Sequence, residues 1–134
     1  MENKIQIIIV DDNPIFLEGI STFLSTENDF EIVACFTSGT ELLGKIGNYN
    51  PDLILLDIEV PGLNGIETAR RMNYYNAKLK MIAITLYNDN VYIKQLIEAG
   101  FRGFVSKNNV TEKLCKVIDS VLNNELVFPK MRLI

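Results

Sequence analysis

The chain has 134 residues, of which 48% are hydrophobic and 22% charged, and this is the size and composition of one ordinary globular domain. Its net charge of −4 argues against general electrostatic binding of DNA or RNA by this chain. It contains no histidine, so any bound metal should be a hard cation held by oxygen. No apolar stretch approaches the ~20 residues of a membrane span, and no leader pattern is present, so we expect a cytoplasmic protein without membrane contact.

Strand patterns alternate with helix patterns from the start of the chain. Residues 5–10 predict a buried strand, and Asn13–Pro14 then predicts a capped helix with proline at its first position. Residues 31–36 predict a second strand, after which Ser38 and Glu41 have capping-box spacing. The apolar positions on the predicted faces of these two helices are Phe16, Ile20, Phe23, Leu24, Leu42, Leu43 and Ile46.

A carboxylate follows the most apolar segment of the chain. Residues 53–56 are all apolar, which predicts a third strand buried on both faces. Pro61–Gly62 indicates a turn, so the strand should end near Ile58 and place Asp57 at its carboxyl end. Burying that charge is costly unless another group compensates it. A single such aspartate is more often a turn or cap residue, so its role depends on how the other strands end.

The second half of the chain continues the alternation. A helix follows Gly65, a fourth strand is predicted over residues 80–84, and the next helix is stopped by Gly100. A short fifth strand at residues 104–105 precedes a last helix that ends near Leu122. Right-handed crossovers place helices on both faces of a parallel sheet. We therefore predict an α/β, flavodoxin-like, doubly wound sheet of five parallel strands in the order 2-1-3-4-5, with five helices.

Polar side chains end four neighbouring strands of this predicted sheet, at the edge where such folds bind ligands. They are Asp11 and Asp12 after the first strand, Asp57 after the third, Thr85 after the fourth and Lys107 after the fifth. Converging carboxylates repel one another unless a cation joins them, and Mg²⁺ prefers oxygen ligands. A lysine and a hydroxyl at the same point suit a phosphoryl group. We therefore predict that Asp57 attacks phosphorus and forms an aspartyl phosphate.

The motifs that carry these residues are VDDNP, LLDIEVPGLNGIE, AIT and GFVSK, in that order. With them the chain resembles a response-regulator receiver domain of two-component signalling, and most of all the receivers fused to LuxR-type helix-turn-helix domains. The resemblance implies that Asp11 and Asp12 are the acidic metal pair and that Asp57 is the phosphoacceptor of a partner histidine kinase. The backbone carbonyl of Glu59 would complete the Mg²⁺ ligands, and we expect its side chain to face solvent.

The resemblance also implies a switch rather than an enzyme, with at most slow self-phosphorylation and self-dephosphorylation. Thr85 would be the switch hydroxyl, Phe104 the switch aromatic and Lys107 the phosphate-contacting lysine. The receiver should span residues 1–122, and residues 123–134 resemble the start of a linker to an output domain that this sequence lacks. DNA binding, and hence transcription control, would belong to that domain. Phosphorylation is expected to favour a homodimer.

Two other classes of protein share parts of the pattern. A haloacid-dehalogenase-like phosphohydrolase also uses an aspartate nucleophile with Mg²⁺, but it places an aspartate where this chain has Glu59 and usually adds a cap. A flavodoxin-like cofactor binder would need small or hydroxyl residues after the first strand, where Asp11 and Asp12 would repel a flavin phosphate. Turnover of p-nitrophenyl phosphate would favour the first class, and a coloured purified protein the second.

Overall fold

The computed structural model describes residues 3–59, 64–86 and 90–129, and for residues 90–92 it describes the backbone alone. Within these ranges the strands are β1 (Ile5–Val10), β2 (Phe30–Phe36), β3 (Leu53–Asp57), β4 (Met81–Thr85) and β5 (Gly103–Ser106). The helices are α1 (Pro14–Ser25), α2 (Gly39–Lys45), α3 (Gly65–Tyr75), α4 (Asn90–Ala99) and α5 (Val110–Leu122). The strands form one parallel sheet in the order β2-β1-β3-β4-β5. The predicted flavodoxin-like fold is confirmed.

The first two helices begin at side-chain caps. The Asn13 carboxamide oxygen accepts hydrogen bonds from the backbone N–H groups two and three residues later, at 3.0 and 3.3 Å, and Pro14 opens α1. The Ser38 hydroxyl accepts a hydrogen bond from the N–H of Glu41 at 3.1 Å. The Glu41 carboxylate accepts from the N–H of Thr37, one residue before the cap itself. Both helix starts therefore follow from local polar chemistry.

Strand β3 separates two apolar clusters. Leu53 and Leu55 face the cluster that α1 and α5 cover, whereas Ile54 and Leu56 face the cluster that α2, α3 and α4 cover. All four side chains are 0% exposed, because helices pack on both faces of the sheet. The unbroken apolar run thus reflects burial on two sides. No helix in the described ranges is long and apolar enough to cross a bilayer.

A close backbone approach connects the end of β3 with the start of α3. The N–H of Gly65 donates a hydrogen bond to the carbonyl of Ile58 at 3.0 Å. A Cβ at position 65 would overlap the Ile58 backbone, so glycine allows α3 to begin directly beside the end of β3. Residues 60–63, which include the predicted turn at Pro61–Gly62, lie outside the described part of the chain.

A segment after α5 pairs with the outer edge of β5. The N–H of Val127 donates to the carbonyl of Arg102 at 2.9 Å, and the carbonyl of Val127 accepts from the N–H of Phe104 at 3.0 Å. Part of the predicted linker therefore lies against the sheet. The boundary after residue 122 stays a prediction, and residues 130–134 are outside the described residues.

Candidate functional site

The carboxyl ends of four adjacent strands bring the predicted polar side chains to one edge of the sheet, here called the carboxyl rim. Asp57 ends β3 and Thr85 ends β4, while Asp11 and Asp12 follow β1 and Lys107 follows β5. One carboxylate oxygen from each of the three aspartates lies within 4.8 Å of the other two. The structure therefore clusters the three aspartates with Lys107 and places Thr85 at the same edge of the sheet, and the individual roles of these residues stay predictions.

The three carboxylates differ in their access to water. Asp11 is 1% exposed and Asp57 is 3% exposed, whereas the side chain of Asp12 is exposed. Asp12 therefore marks the side from which water and ions reach the cluster. Three carboxylate oxygens at this spacing form a set that could hold a hard cation, which takes oxygen ligands and retains several waters.

Lys107 is the cation that the two buried aspartates share. Its Nζ lies 2.8 Å from Oδ2 of Asp11 and 3.1 Å from Oδ2 of Asp57, and its side chain is only 16% exposed. Burial alone would lower the pKa of Lys107, but its close contacts with Asp11 and Asp57 outweigh burial and raise that pKa. Lys107 therefore stays charged and offsets part of the negative charge at the carboxyl rim.

Asp11 remains incompletely compensated by this arrangement. Its Oδ1 accepts a hydrogen bond from the N–H of Asn13 at 2.8 Å. Its Oδ2 is buried without an aligned hydrogen-bond donor among the described residues, although Lys107 Nζ is close. The pKa of Asp11 lies above its usual value, chiefly because burial disfavours the charged form. The charge of Asp57 also raises this pKa, and the contacts with Lys107 and Asn13 offset the total increase only in part. A further cation would favour the charged form of Asp11.

Glu59 connects the ends of β3 and β4. Its N–H donates a hydrogen bond to Oδ1 of Asp57 at 3.0 Å. Its carboxylate accepts a hydrogen bond from the hydroxyl of Thr85 at 3.2 Å. The side chain is exposed, as expected, but it also has a partner that the sequence does not reveal. No local pattern could have shown it, because residues 59 and 85 belong to different strand ends.

Two aromatic residues lie near the carboxyl rim. Phe104, in β5, is 7% exposed and belongs to the apolar cluster beneath α2, α3 and α4. Phe16, in the first turn of α1, lies with its ring centroid 4.5 Å from Lys107 Nζ. The sequence predicts only a core position for Phe16. Its place three residues after the Asn13 cap is the one sequence feature that puts it near the end of β1.

The family model for the response regulator receiver domain matches residues 7–119. The chain therefore belongs to the response regulator receiver domain family, which confirms the resemblance inferred from its motifs. Several curated relatives of the chain are described as regulators of transcription.

Two of these relatives illustrate the extent of the match. The transcriptional regulatory protein DegU of Brevibacillus brevis is 33% identical over 120 residues, covering 90% of this chain and 51% of DegU. The DNA-binding transcriptional activator EvgA of Escherichia coli K12 is 34% identical over 125 residues, covering 91% of this chain and 59% of EvgA. The chain thus spans between half and three fifths of these relatives.

Solved structures agree on the fold. A two-component response regulator of the LuxR family from Aurantimonas sp. SI85-9A1 has a TM-score of 0.89 at 24% identity, over 94% of this chain and 90% of that one. The isolated receiver domain of RcsB from Salmonella enterica serovar Typhimurium, solved with the phosphomimetic BeF3−, has a TM-score of 0.86 at 23% identity, over 96% and 95%. At this identity the likeness establishes the receiver fold alone.

Proposed function

We propose that Asp57 of this receiver accepts a phosphoryl group from a partner histidine kinase. The observation that carries the proposal is the setting of Asp57, which is 3% exposed at a strand end with Lys107 Nζ 3.1 Å from its Oδ2. The carboxylates of Asp11 and Asp12 lie in the same cluster. A structural aspartate does not need two acidic neighbours and a partly buried lysine, whereas a phosphoacceptor gains from a site that neutralises and orients phosphate oxygens.

Mg²⁺ fits the carboxyl rim. Asp11, Asp12 and Asp57 would hold it through carboxylate oxygens, with the backbone carbonyl of Glu59 as a further ligand. The fit is supported by the all-oxygen donor set and by the charge of the cluster, in which Lys107 is the one cation in contact with the carboxylates among the described residues. When bound, Mg²⁺ supplies positive charge for the oxygens of the incoming phosphoryl group.

The residues of the chain supply the nucleophile and its charge balance. A carboxylate oxygen of Asp57 forms the new bond to phosphorus, and the bond from phosphorus to the donor's leaving atom breaks. Lys107 is already beside Asp57, so its ammonium group can donate charge-assisted hydrogen bonds to the phosphoryl oxygens without a large movement.

Phosphorylation would then act on the rim residues that connect it with the rest of the fold. The Thr85 hydroxyl donates to Glu59 in the unmodified chain, so it must exchange that partner to donate to a phosphoryl oxygen. We infer that this exchange changes the packing of Phe104, which is already buried in the unmodified chain, and thereby changes the surface formed by α4, β5 and α5. Phosphorylation thereby shifts the balance between two conformations of the domain.

The relatives support a proposal for the wider role. EvgA is described as a DNA-binding transcriptional activator, and RcsB has been solved as a complex with DNA. We propose that this chain regulates transcription in the cytoplasm through an output domain that binds DNA, and that the receiver itself binds no nucleic acid. Residues 123–134 would begin the linker to that domain.

Labelling with acetyl phosphate tests the phosphoacceptor. Intact-protein mass spectrometry should show one added phosphoryl group in the presence of Mg²⁺ and none after chelation. Asp57→Asn should abolish the labelling with little change in volume, whereas the matched control Asp52→Asn, at the opposite and exposed end of β3, should retain it. Labelling that survives in Asp57→Asn or that needs no metal contradicts the proposal, and sustained turnover of p-nitrophenyl phosphate would favour a phosphohydrolase.

Sedimentation tests the output. Beryllofluoride with Mg²⁺, a mimic of the phosphorylated state, should raise homodimerisation through the α4-β5-α5 surface or through α1 and α5. Asp57→Asn, which lacks the phosphoacceptor, serves as the control and should not respond. Equal association with and without the mimic would show that this chain does not signal by dimerising.

A further inference from the structure

We propose that Phe16 is a positioning residue for Lys107: its ring holds the lysine ammonium beside Asp57. The inference rests on the proposed function, in which Lys107 contacts the phosphoryl group. Lys107 Nζ lies 4.5 Å from the centroid of the Phe16 ring and also contacts Asp57 and Asp11. The ammonium group is therefore held between two carboxylates and one aromatic ring.

A closed chain of contacts positions residue 16 beside Lys107. Oδ1 of Asp11 accepts from the N–H of Asn13, and the Asn13 carboxamide oxygen accepts from the N–H of Phe16. The Phe16 ring lies against Lys107, and Lys107 Nζ lies 2.8 Å from Oδ2 of Asp11. The cap that starts α1 therefore also aligns the first turn of the helix with the carboxyl rim.

The chemistry of the contact explains why an aromatic ring suits this position. A lysine side chain has a flexible stem of four carbons, so its ammonium group can occupy many alternative positions in water. The negative face of an aromatic ring attracts the ammonium without demanding a hydrogen-bond direction. Lys107 can therefore transfer its hydrogen bonds from the Asp57 carboxylate to a phosphoryl group while it stays over Phe16. A leucine would preserve the apolar contact but not this attraction.

The surroundings of Phe16 allow a conservative substitution. The ring borders a groove of about 360 Å³ between α1 and the start of α5, which Gly19 and Thr111 also line. We expect this groove to accept the extra hydroxyl of Phe16→Tyr, which retains the aromatic face. Phe23 offers a matched control on the same helix, because it is also partly buried against the apolar cluster that α1 and α5 cover.

The first test is spectroscopic and needs no phosphorylation. The Lys107 side-chain methylene next to Nζ should show an upfield ring-current shift in NMR spectra, with Lys107→Ala used to assign its signal. The shift should persist in Phe16→Tyr and in the control Phe23→Leu, and it should disappear in Phe16→Leu. An unshifted Lys107 signal in the unmodified chain would overturn the proposal, whatever the outcome of labelling.

The second test is kinetic. Phe16→Leu should slow labelling of Asp57 by acetyl phosphate about three- to tenfold, as expected from the loss of one cation–π contact. Phe16→Tyr should restore the rate, and Phe23→Leu should leave it unchanged. In a Lys107→Ala background, Phe16→Leu should cause no further slowing, because the effect acts through the lysine. An additional loss in that background, or failure of Phe16→Tyr to restore the rate, would assign Phe16 a merely structural role; absence of labelling in the unmodified chain would instead refute the proposed function.

Discussion

Strand β3 is buried along its whole length, but its first four residues and its last residue bury opposite kinds of side chain. Residues 53–56 are apolar and 0% exposed, and the charged Asp57 is 3% exposed. Removing the apolar groups from water stabilises the fold, whereas removing a carboxylate from water destabilises it unless a partner compensates the charge. Burial of the apolar residues thus stabilises the fold, and this stabilisation offsets the cost of holding charged groups together at the carboxyl rim.

The largest expected effect on stability lies in the interior. Leu55→Ala should lower the free energy of unfolding by about 3 kcal/mol, because it opens a cavity beneath α1 and α5 where neighbours cannot fully close. Urea denaturation measures the change. Leu126→Ala is the matched control: its side chain is 65% exposed, so we expect a change within about 0.5 kcal/mol. An equal loss of unfolding free energy in both variants would show that the burial of Leu55 does not determine the size of the loss.

The second effect concerns the charge balance of the carboxyl rim. In the absence of metal, Lys107→Ala should lower the free energy of unfolding by about 2 kcal/mol, because Asp11 and Asp57 lose the cation between them. Mg²⁺ should restore much of the loss, since it can supply the missing charge. The exposed Lys94 provides the control, and Lys94→Ala should have little effect with or without Mg²⁺.

A Lys107→Ala variant that is as stable as the unmodified chain without metal would contradict this account. It would mean that the two buried carboxylates are stabilised by groups other than the lysine. Urea denaturation of both variants, with EDTA and then with Mg²⁺, separates the two cases.

The third effect is a pH dependence, and it should be smaller. Burial raises the pKa of Asp11 above its ordinary 3.8, and the charge of Asp57 adds to this. The folded chain therefore binds this proton more tightly than the unfolded chain does. The resulting stabilisation is complete below pH 3.8 and is lost as the pH rises through the pKa of the folded state.

Asp11→Asn removes this titration. In EDTA, the variant should therefore gain stability relative to the unmodified chain as the pH rises from about 4 to 7. Chemical denaturation of both chains at a series of pH values measures the difference. A relative stability that falls over this range would mean that the folded state favours the ionised form of Asp11.

These comparisons also show how far the sequence predicts the molecule. The parallel doubly wound sheet and the convergence of Asp11, Asp57 and Lys107 follow from periodicity and from the rule that parallel strands share a carboxyl edge, and the order 2-1-3-4-5 is one of the two common orders of such a sheet. The contacts of Phe16 with Lys107 and of Thr85 with Glu59 do not follow, because they join side chains from different elements whose rotamers depend on the assembled fold.

The exact ends of a strand are also difficult to predict from the sequence. The sequence predicts a fifth strand of two residues at 104–105, whereas β5 covers Gly103–Ser106. Glycine has low intrinsic preference for strands, but position 103 lies in contact with α5, where even a Cβ would come within 3.0 Å of Val121. Packing against α5 therefore favours glycine at position 103, although the strand preferences of the residues alone would exclude it from β5.

The smallest expected effect on stability distinguishes the third carboxylate of the carboxyl rim from the two buried ones. Asp12 is exposed, so in the absence of metal Asp12→Ala should change the free energy of unfolding by no more than about 0.5 kcal/mol, or stabilise slightly by relieving repulsion within the cluster. The same variant should weaken Mg²⁺ binding about tenfold, because it removes one of three carboxylate ligands. Calorimetric Mg²⁺ titration measures the affinity, and thermal melts with EDTA measure the stability. A clearly destabilised metal-free Asp12→Ala variant would show that Asp12 is chiefly a structural cap at the end of β1, and unchanged Mg²⁺ affinity would show that the two buried aspartates hold the ion alone.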